Sequence, residues 1–132
     1  HQAVIIASMI ESEAANDSER ALIASVIYNR LAAGMPLQID ATVMYALGEH
    51  KDYLTEEDLQ VDSPYNTYLN TGLPAGPICN PGLASINAAL NPESTNYLYY
   101  ALNTETGEHQ FFTNYAEFEA FTATQDYTSQ NQ

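Results

Sequence analysis

Apolar residues recur with helical spacing along the first part of this chain. Over Ala3–Ala14 they point to all sides of a helix axis, which is typical of a buried helix. A second helix is predicted next, because Asn16 and Glu19 have the spacing of a capping box and Gly34 with Pro36 ends the segment. Its apolar residues at helical spacing are Leu22, Ile23, Val26, Ile27 and Leu31.

The middle of the chain is predicted to contain short helices and one long loop. Asp40 is in position to cap a helix that runs to Leu47, and Thr55 with Asp58 indicates a further turn or two. Residues 62–82 contain four prolines and follow neither the helical nor the strand period. Because irregular loops of this length are uncommon in compact domains and are often functional, this segment is expected to contribute to a site.

The last third of the chain combines two helical segments with an aromatic hairpin. A helix is predicted to begin at Asn80–Pro81 and to end near Asn91–Pro92. Residues 96–102 and 108–113 are rich in Tyr and Phe and are separated by turn residues, which predicts two antiparallel strands. Asn114 is expected to cap a last helix.

Length and composition limit the possible fold classes and binding partners. The 132 residues are predicted to form one α+β domain, mostly helical, with a small antiparallel β-hairpin or sheet. With 17 acidic and three basic residues the net charge is −14, so the chain should repel nucleic acid and anionic membranes. One cysteine and three histidines without ligand spacing predict neither a disulfide framework nor a metal site. No apolar run is long enough to span a membrane, so this part of the chain is expected to be soluble.

Two acids inside the most apolar helix are the first candidates for chemistry. At about 100° per residue, Glu11 and Glu13 point in nearly opposite directions, so only one of them can face a given cleft. Glu11 shares its face with small residues that leave room for a ligand, and a carboxyl among apolar residues has a raised pKa suited to a general acid. The alternative is that both acids lie at a solvated helix end or pair with Arg20 and Arg30.

Polar and aromatic residues around the long loop are candidates for ligand binding. Amides, hydroxyls and tyrosine rings without basic residues suit neutral, hydroxyl-rich ligands such as sugars, although the same residue types are common in ordinary loops. His109, on the second predicted strand, could donate a proton, bind a ligand or be structural. The loop candidates are Gln38, Asp40, Tyr65, Asn66, Thr67, Tyr68, Asn70 and Asn80.

The motifs together resemble the catalytic domain of the endolytic murein transglycosylases, the YceG-like family. The resemblance runs from about Ala7 to Phe111 through ASMIESEA, IYNRL, GMPLQ, SPYNTY, GLP-x-GPI, YLYY and H-x-F. It implies a bacterial enzyme that cleaves peptidoglycan strands internally between N-acetylmuramic acid and N-acetylglucosamine. It also implies an N-terminal membrane anchor beyond this chain, a location at the extracytoplasmic face of the cell membrane, and peptidoglycan synthases as possible partners.

Carried over by position, the family's catalytic glutamate falls on Glu11, and no cofactor is needed. Because Asp40 is read as a helix cap, no second acid is expected in the cleft, and the muramic acid C6 hydroxyl would attack to give 1,6-anhydro ends. The alternatives are a non-catalytic glycan-binding module and, from an older family label, a pyridoxal-phosphate-dependent aminodeoxychorismate lyase that would need Lys51. The resemblance implies a glycan groove lined by Glu13, Gln38, Asp40, Tyr65, Asn66, Thr67, Tyr68, Asn80 and His109.

Overall fold

The structure, a computed structural model, describes residues 1–51 and 53–125. Within these residues it contains helices and one two-stranded antiparallel sheet, so the predicted α+β, mostly helical class is confirmed. The elements are α1 (Gln2–Glu13), α2 (Arg20–Ala33), α3 (Asp40–Leu47), α4 (Leu83–Leu90), β1 (Tyr99–Leu102), β2 (His109–Phe112) and α5 (Tyr115–Thr122), with single 3-10 turns at Asp17–Glu19 and Asp58–Gln60.

Helix α1 lies at the centre of the core, as its apolar sequence predicts. Its residues from Ile5 to Ile10 are all buried, and it packs against both α2 and α4. Ser8 is also fully buried, and two hydrogen bonds satisfy its hydroxyl. It donates to the carbonyl of Ile5 at 2.7 Å and accepts from the backbone N–H of Ile78 at 3.1 Å. The end of the long loop is thereby attached to the central helix.

The hairpin forms where the aromatic segments predicted it and carries α5 on one side. Tyr99 pairs with Phe112 and Leu102 pairs with His109 across the two strands. The ring of Phe118 on α5 stacks on Tyr99 with 5.2 Å between centroids. Asn114 caps α5 as predicted, since its side chain accepts from the backbone N–H of Glu117 at 2.8 Å.

Two of the predicted caps are wrong because their side chains are used in other contacts. The Asn16 side chain accepts a hydrogen bond from Ser18 and makes no capping bond; Asn16 precedes the 3-10 turn Asp17–Glu19, and α2 begins only after that turn. Asp40 is the first residue of α3 rather than its N-cap, and its carboxylate accepts a hydrogen bond from the Tyr68 hydroxyl. Both predictions relied on helix spacing alone, whereas the Asn16 side chain bonds to Ser18 two positions away and the Asp40 side chain bonds to Tyr68 in the long loop.

The predicted start of α4 is also wrong, by two residues. The helix begins at Leu83 with Gly82 as its N-cap, and Asn80 lies exposed before it. Residues 62–82 have no regular secondary structure, as expected. Among the described residues, no helix combines the length and apolar character needed to cross a bilayer.

Candidate active site

The candidate site is a cleft of about 540 Å³ between the end of α1, the start of α3, the hairpin and α5. A second pocket of about 620 Å³ lies along α3, where its lining includes Ser12, Tyr45 and Ile78. Glu13 is in the lining of both pockets. Of the residues predicted from sequence, the first cleft contains Glu13, Gln38, Asp40, Tyr68 and His109.

Glu13 has the environment that a general acid needs. The pocket walls remove water from its carboxyl, and this burial raises the pKa of Glu13 from 4.5 to about 7, with the nearby Asp40 charge as a further raising cause. The hydroxyl of Tyr100 donates to Glu13 Oε1 at 2.9 Å and acts in the opposite direction, since it favours the carboxylate. Near neutral pH, both protonation states of Glu13 are therefore accessible.

Glu11 has the opposite environment. Its Oε1 accepts hydrogen bonds from the backbone N–H of Gly82 at 2.9 Å and from the Ser85 hydroxyl at 3.0 Å, and these bonds hold the pKa of Glu11 below its usual value. Arg20 Nη1 lies 3.7 Å from its Oε2. The expectation of a raised pKa for Glu11 is therefore wrong, and pairing with Arg20, the alternative reading, is what this acid does.

Asp40 and Tyr68 form a second hydrogen-bonded pair at the cleft. The Tyr68 hydroxyl donates to Asp40 Oδ1, and burial together with the Asp40 charge raises the pKa of Tyr68 above its usual value. Both side chains line the same cleft as Glu13. The expectation that only one acid faces the cleft is therefore wrong, because the start of α3 brings Asp40 to its wall.

Gln38 is held in an unusual backbone conformation beside this pair. Its φ of 52° lies in the left-handed region, which costs a non-glycine residue about 1 kcal/mol. The strain is offset on both sides, since Gln38 N donates to the carbonyl of Thr67 at 3.2 Å and Ile39 N donates to Thr67 Oγ1 at 2.9 Å. This conformation leaves the Gln38 side chain exposed in the cleft lining.

Asn66 and Thr67 are buried, which corrects the expectation that they line the groove. Asn66 is 0% exposed, and its amide donates to the carbonyls of Leu59 and Val61 at 2.9 Å each. Thr67 is 1% exposed and holds the Gln38 backbone. These two residues shape the loop from inside instead of contacting a ligand.

Tyr65 and Asn80 lie outside the lining of both pockets. The Tyr65 ring packs on Tyr45, which lines the second pocket, with 4.7 Å between centroids. Asn80 is exposed on the loop. Asn70, the remaining loop candidate, is also used structurally, because its amide donates to the carbonyls of Ser63 and Asn66.

His109 lines the cleft and is held there by the buried Glu19. Glu19 is 4% exposed; its Oε2 accepts from the His109 backbone N–H at 2.6 Å, and its Oε1 lies 2.7 Å from His109 Nδ1. Burial by itself would raise the pKa of Glu19, but the hydrogen bonds from His109 and from Ala15 N outweigh it and lower that pKa. The His109 ring packs edge-on against Tyr100, the partner of Glu13.

The sequence analysis did not identify three residues of the site. Tyr100 and Arg30 line the cleft, and Glu19 holds His109 from outside it. A charged residue within the apolar repeat of α2 was a usable signal for Arg30, because buried cations need specific partners. Tyr100 and Glu19 gave no such signal, since one is an aromatic strand residue and the other has the spacing of a helix cap.

Lys51 does not have the properties of a Schiff-base lysine. Its Nζ donates to Asp58 at 2.8 Å, and this bond raises the pKa of Lys51, whereas imine chemistry requires a lowered one. Among the residues that the structure describes, no three His, Cys, Asp or Glu side chains are grouped to hold a metal ion.

Comparisons with known proteins agree with the resemblance seen in the motifs. The sequence model of the YceG-like family matches residues 1–124. This chain belongs to the YceG-like family. A crystal structure of a yceG-like protein from Listeria monocytogenes superposes on this YceG-like domain with a TM-score of 0.89 at 53% identity, covering 92% of this chain and 39% of that one.

Two curated relatives of this YceG-like domain carry the name endolytic murein transglycosylase. The protein from Bacillus subtilis strain 168 is 54% identical over 111 residues, which are 84% of this chain and 31% of the relative. The protein from Streptococcus pneumoniae strain D39 is 37% identical over 119 residues, which are 86% of this chain and 22% of the relative. The YceG-like domain therefore spans about a third or less of the length of these relatives.

Proposed function

We propose that this chain is the catalytic part of an endolytic murein transglycosylase with Glu13 as its general acid and base. The reaction would cleave the β-1,4 bond between N-acetylmuramic acid and N-acetylglucosamine in peptidoglycan. The observation that carries the assignment is the position of Glu13, which lines both pockets, accepts a hydrogen bond from the Tyr100 hydroxyl at 2.9 Å, and has a pKa that burial raises to about 7. The name shared by the two relatives supports the reaction class.

Glu13 is assigned in place of Glu11, which the motif alone suggested. A general acid must hold a proton near neutral pH and give it to the leaving oxygen. Glu11 is ionised there, because its pKa is lowered and its Oε1 accepts two hydrogen bonds from the start of α4. Glu13 is protonated in part of the molecules at pH 7, and it lies in the cleft.

The proposed chemistry needs one carboxyl that works twice. Glu13 would first protonate the glycosidic oxygen, and the resulting carboxylate would be stabilised by the Tyr100 hydroxyl, which already donates to Oε1 at 2.9 Å. The same carboxylate would then take the proton of the muramic acid C6 hydroxyl as that oxygen attacks the anomeric carbon. The 1,6-anhydro ring forms within the substrate, so proximity comes from the glycan itself.

The arrangement of the pockets supports cleavage inside strands. Since Glu13 is shared by both pockets, sugar units could extend to either side of the scissile bond. The first cleft offers the Gln38 amide together with Tyr68 and Tyr99 for hydroxyl and ring contacts. These amide, hydroxyl and ring groups match the hydroxyls and apolar faces of a sugar chain.

The test of the assignment is cleavage of purified glycan strands by Glu13→Gln and Glu11→Gln. Glu13→Gln should reduce the rate by about 100- to 10,000-fold while the domain stays folded. Glu11→Gln is the matched control on the same helix and should stay within about threefold of wild type below its melting temperature. The opposite ranking would return the role to Glu11, and strands that bind without cleavage by wild type would indicate a binding module.

Mass spectrometry of the products distinguishes two chemistries. Anhydro ends are lighter than hydrolysed ends by one water, and they incorporate no heavy oxygen from labelled water. Because Asp40 lies in the same cleft as Glu13, a two-carboxyl muramidase is the second candidate. Reducing ends that contain heavy oxygen would identify that reaction, with Asp40 as the second acid.

The family resemblance also implies where the parent protein works. It would be held at the extracytoplasmic face of the cell membrane by an anchor outside this chain, close to nascent glycan strands. Peptidoglycan synthases are then the partners to test. Crosslinking of the full-length protein in cells, followed by mass spectrometry, would recover a synthase if this is correct.

A further inference from the structure

Arg30 is a buried cation without a carboxylate partner among the described residues. It is 8% exposed and lines the same cleft as Glu13. The other two basic side chains of the chain are paired, since Arg20 Nε lies 2.9 Å from Asp17 and Lys51 Nζ lies 2.8 Å from Asp58. In a chain of net charge −14, a cation left without an anion at a cleft needs an explanation.

The guanidinium of Arg30 is held in a defined orientation by backbone carbonyls. Nε donates to Leu98 O at 2.7 Å, and Nη1 donates to Pro36 O at 2.8 Å and to Leu37 O at 3.3 Å. The Tyr99 ring lies against it, with 5.1 Å from Cζ to the ring centroid. Three of the five donor hydrogens are used, and within the described part of the chain no acceptor is found for the two on Nη2.

These contacts leave the positive charge only partly compensated. Neutral carbonyls accept hydrogen bonds but supply no opposite charge, so a desolvated guanidinium still favours an anion. Burial lowers the pKa of Arg30, yet an arginine stays charged at neutral pH. Because Arg30 lines the cleft and its other nitrogens face backbone carbonyls, Nη2 is the nitrogen available to a ligand.

We propose that Arg30 Nη2 binds the carboxyl oxygen of the lactyl group of muramic acid. This inference rests on the proposed function, because it assumes that the cleft takes a peptidoglycan strand. The lactyl group is the part of the disaccharide repeat that carries a carboxyl. It is a free carboxylate in strands without stem peptides and an amide carbonyl where a stem peptide is attached. Arg30 would then distinguish muramic acid from N-acetylglucosamine at one side of Glu13.

The competing explanation is that Arg30 only fastens the chain segment before β1 to α2. Asn29 provides a matched control, because it fastens the same segment from the neighbouring position. Its amide donates to the carbonyls of Thr95 at 3.0 Å and Tyr97 at 2.8 Å, but it lines neither pocket. A purely structural Arg30 should therefore behave like Asn29 when substituted.

The experiment measures binding of three muramic-acid-containing oligosaccharides by calorimetry. They differ only in the lactyl group, which is a free carboxylate, a carboxamide or a reduced alcohol. The protein has the Glu13→Gln background, and mass spectrometry after titration verifies that the glycans are intact. We expect the carboxylate to bind about tenfold or more tightly than the alcohol, with the carboxamide between them.

Variants then test whether Arg30 causes the preference for the carboxylate. Arg30→Gln removes the charge and should reduce the carboxylate-to-alcohol ratio to within about twofold of one, with alcohol binding little changed. Arg30→Lys keeps the charge but not the fork of donors, so it should give a ratio between those of Arg30→Gln and the parent protein. Asn29→Ala should keep the tenfold ratio even if its melting temperature falls. A ratio that survives in Arg30→Gln, or that Asn29→Ala removes equally, would overturn the inference. Failure of every oligosaccharide to bind would instead count against the proposed function.

A readout without any Arg30 variant covers the case in which those variants fail to fold. In the Glu13→Gln protein, nitrogen-15 NMR follows the side-chain N–H signals of Arg30. The carboxylate oligosaccharide should shift and sharpen the Nη2 signals, and the alcohol should leave them unchanged. Equal effects of both ligands would rule out lactyl recognition at this nitrogen.

Discussion

Glu11 and Glu13 are two positions apart on one helix, yet their carboxyls have opposite electrostatic environments. Glu11 accepts hydrogen bonds at the start of α4, which favours its ionised form. Glu13 faces the cleft, where loss of water favours the neutral form. The opposite directions of the two pKa shifts lead to opposite pH dependences of stability.

We predict that Glu13→Gln is more stable than wild type at pH 8. The pKa of the Glu13 carboxyl is about 7 in the folded state and 4.5 in the unfolded state. Wild type therefore loses stability as the pH rises from about 4.5 to 7. The advantage of Gln should be absent below pH 4.5 and grow to at most about 3 kcal/mol above pH 7. Urea denaturation of both proteins between pH 4 and 8 measures it, and a pH-independent difference would contradict the raised pKa.

Glu11→Gln should show the reverse sign. A lowered folded-state pKa contributes stability that is present above the unfolded value and lost as pH falls through the folded one. We expect Glu11→Gln to be less stable by about 1 kcal/mol at pH 7, because it weakens an acceptor at a helix N-terminus. The difference should shrink below pH 4, as the same denaturation series would measure.

At the scale of elements, Glu19 joins the end of α1 to the second strand. Its carboxylate accepts from Ala15 N at 3.1 Å and from the backbone and ring of His109. Because His109 packs on Tyr100, which in turn contacts Glu13, this connection sets the position of the hairpin relative to the proposed acid. Glu19 is thus a positioning residue and not a ligand contact.

Glu19→Gln should weaken the attachment of the hairpin and lower the protection of its amides against exchange. An amide cannot accept three hydrogen bonds from these donors, so we expect a loss of about 1–3 kcal/mol and faster amide exchange in β2. Glu108→Gln, an exposed neighbour, is the control and should leave both unchanged. Unchanged exchange in β2 for Glu19→Gln would mean that contacts other than those of Glu19 hold the hairpin.

The long loop depends on one buried amide. Asn66→Ala should cost about 2–4 kcal/mol, because it leaves the carbonyls of Leu59 and Val61 and the N–H of Tyr68 without partners. Asn80→Ala should stay within about 0.5 kcal/mol, since Asn80 is exposed. Thermal unfolding of the two variants makes the comparison, and equal losses would refute the role of Asn66.

At the scale of the whole molecule, the acidic charge opposes compaction. With a net charge of −14, unpaired carboxylates repel one another in the folded state. We predict that the melting temperature at pH 7.5 rises by several degrees between about 20 and 500 mM NaCl as the Debye length falls to a few ångströms. Near the isoelectric point of about 4.1 the same salt series should have little effect. Equal effects at both pH values would point to a non-electrostatic salt effect.

Much of the fold can be predicted from local patterns. The apolar run of α1 predicted a buried helix, the aromatic segments predicted the hairpin, and Asn114 predicted the start of α5. These features depend on neighbours within a few positions, which the sequence displays directly. Capping by Asn16 and Asp40 was predicted incorrectly, because a side chain that can cap can equally bond to another group, which is the nearby Ser18 hydroxyl for Asn16 and the distant Tyr68 hydroxyl for Asp40.

The sequence by itself determined that the two acids of α1 point in opposite directions, because the helical repeat requires it. Only the tertiary structure decided which direction is the cleft. The partner of Glu13, Tyr100, lies 87 positions away, and the partners of Glu11, Gly82 and Ser85, lie 71 and 74 positions away. A pKa depends on solvent and charges within a few ångströms, so it follows from packing between elements that local spacing does not specify.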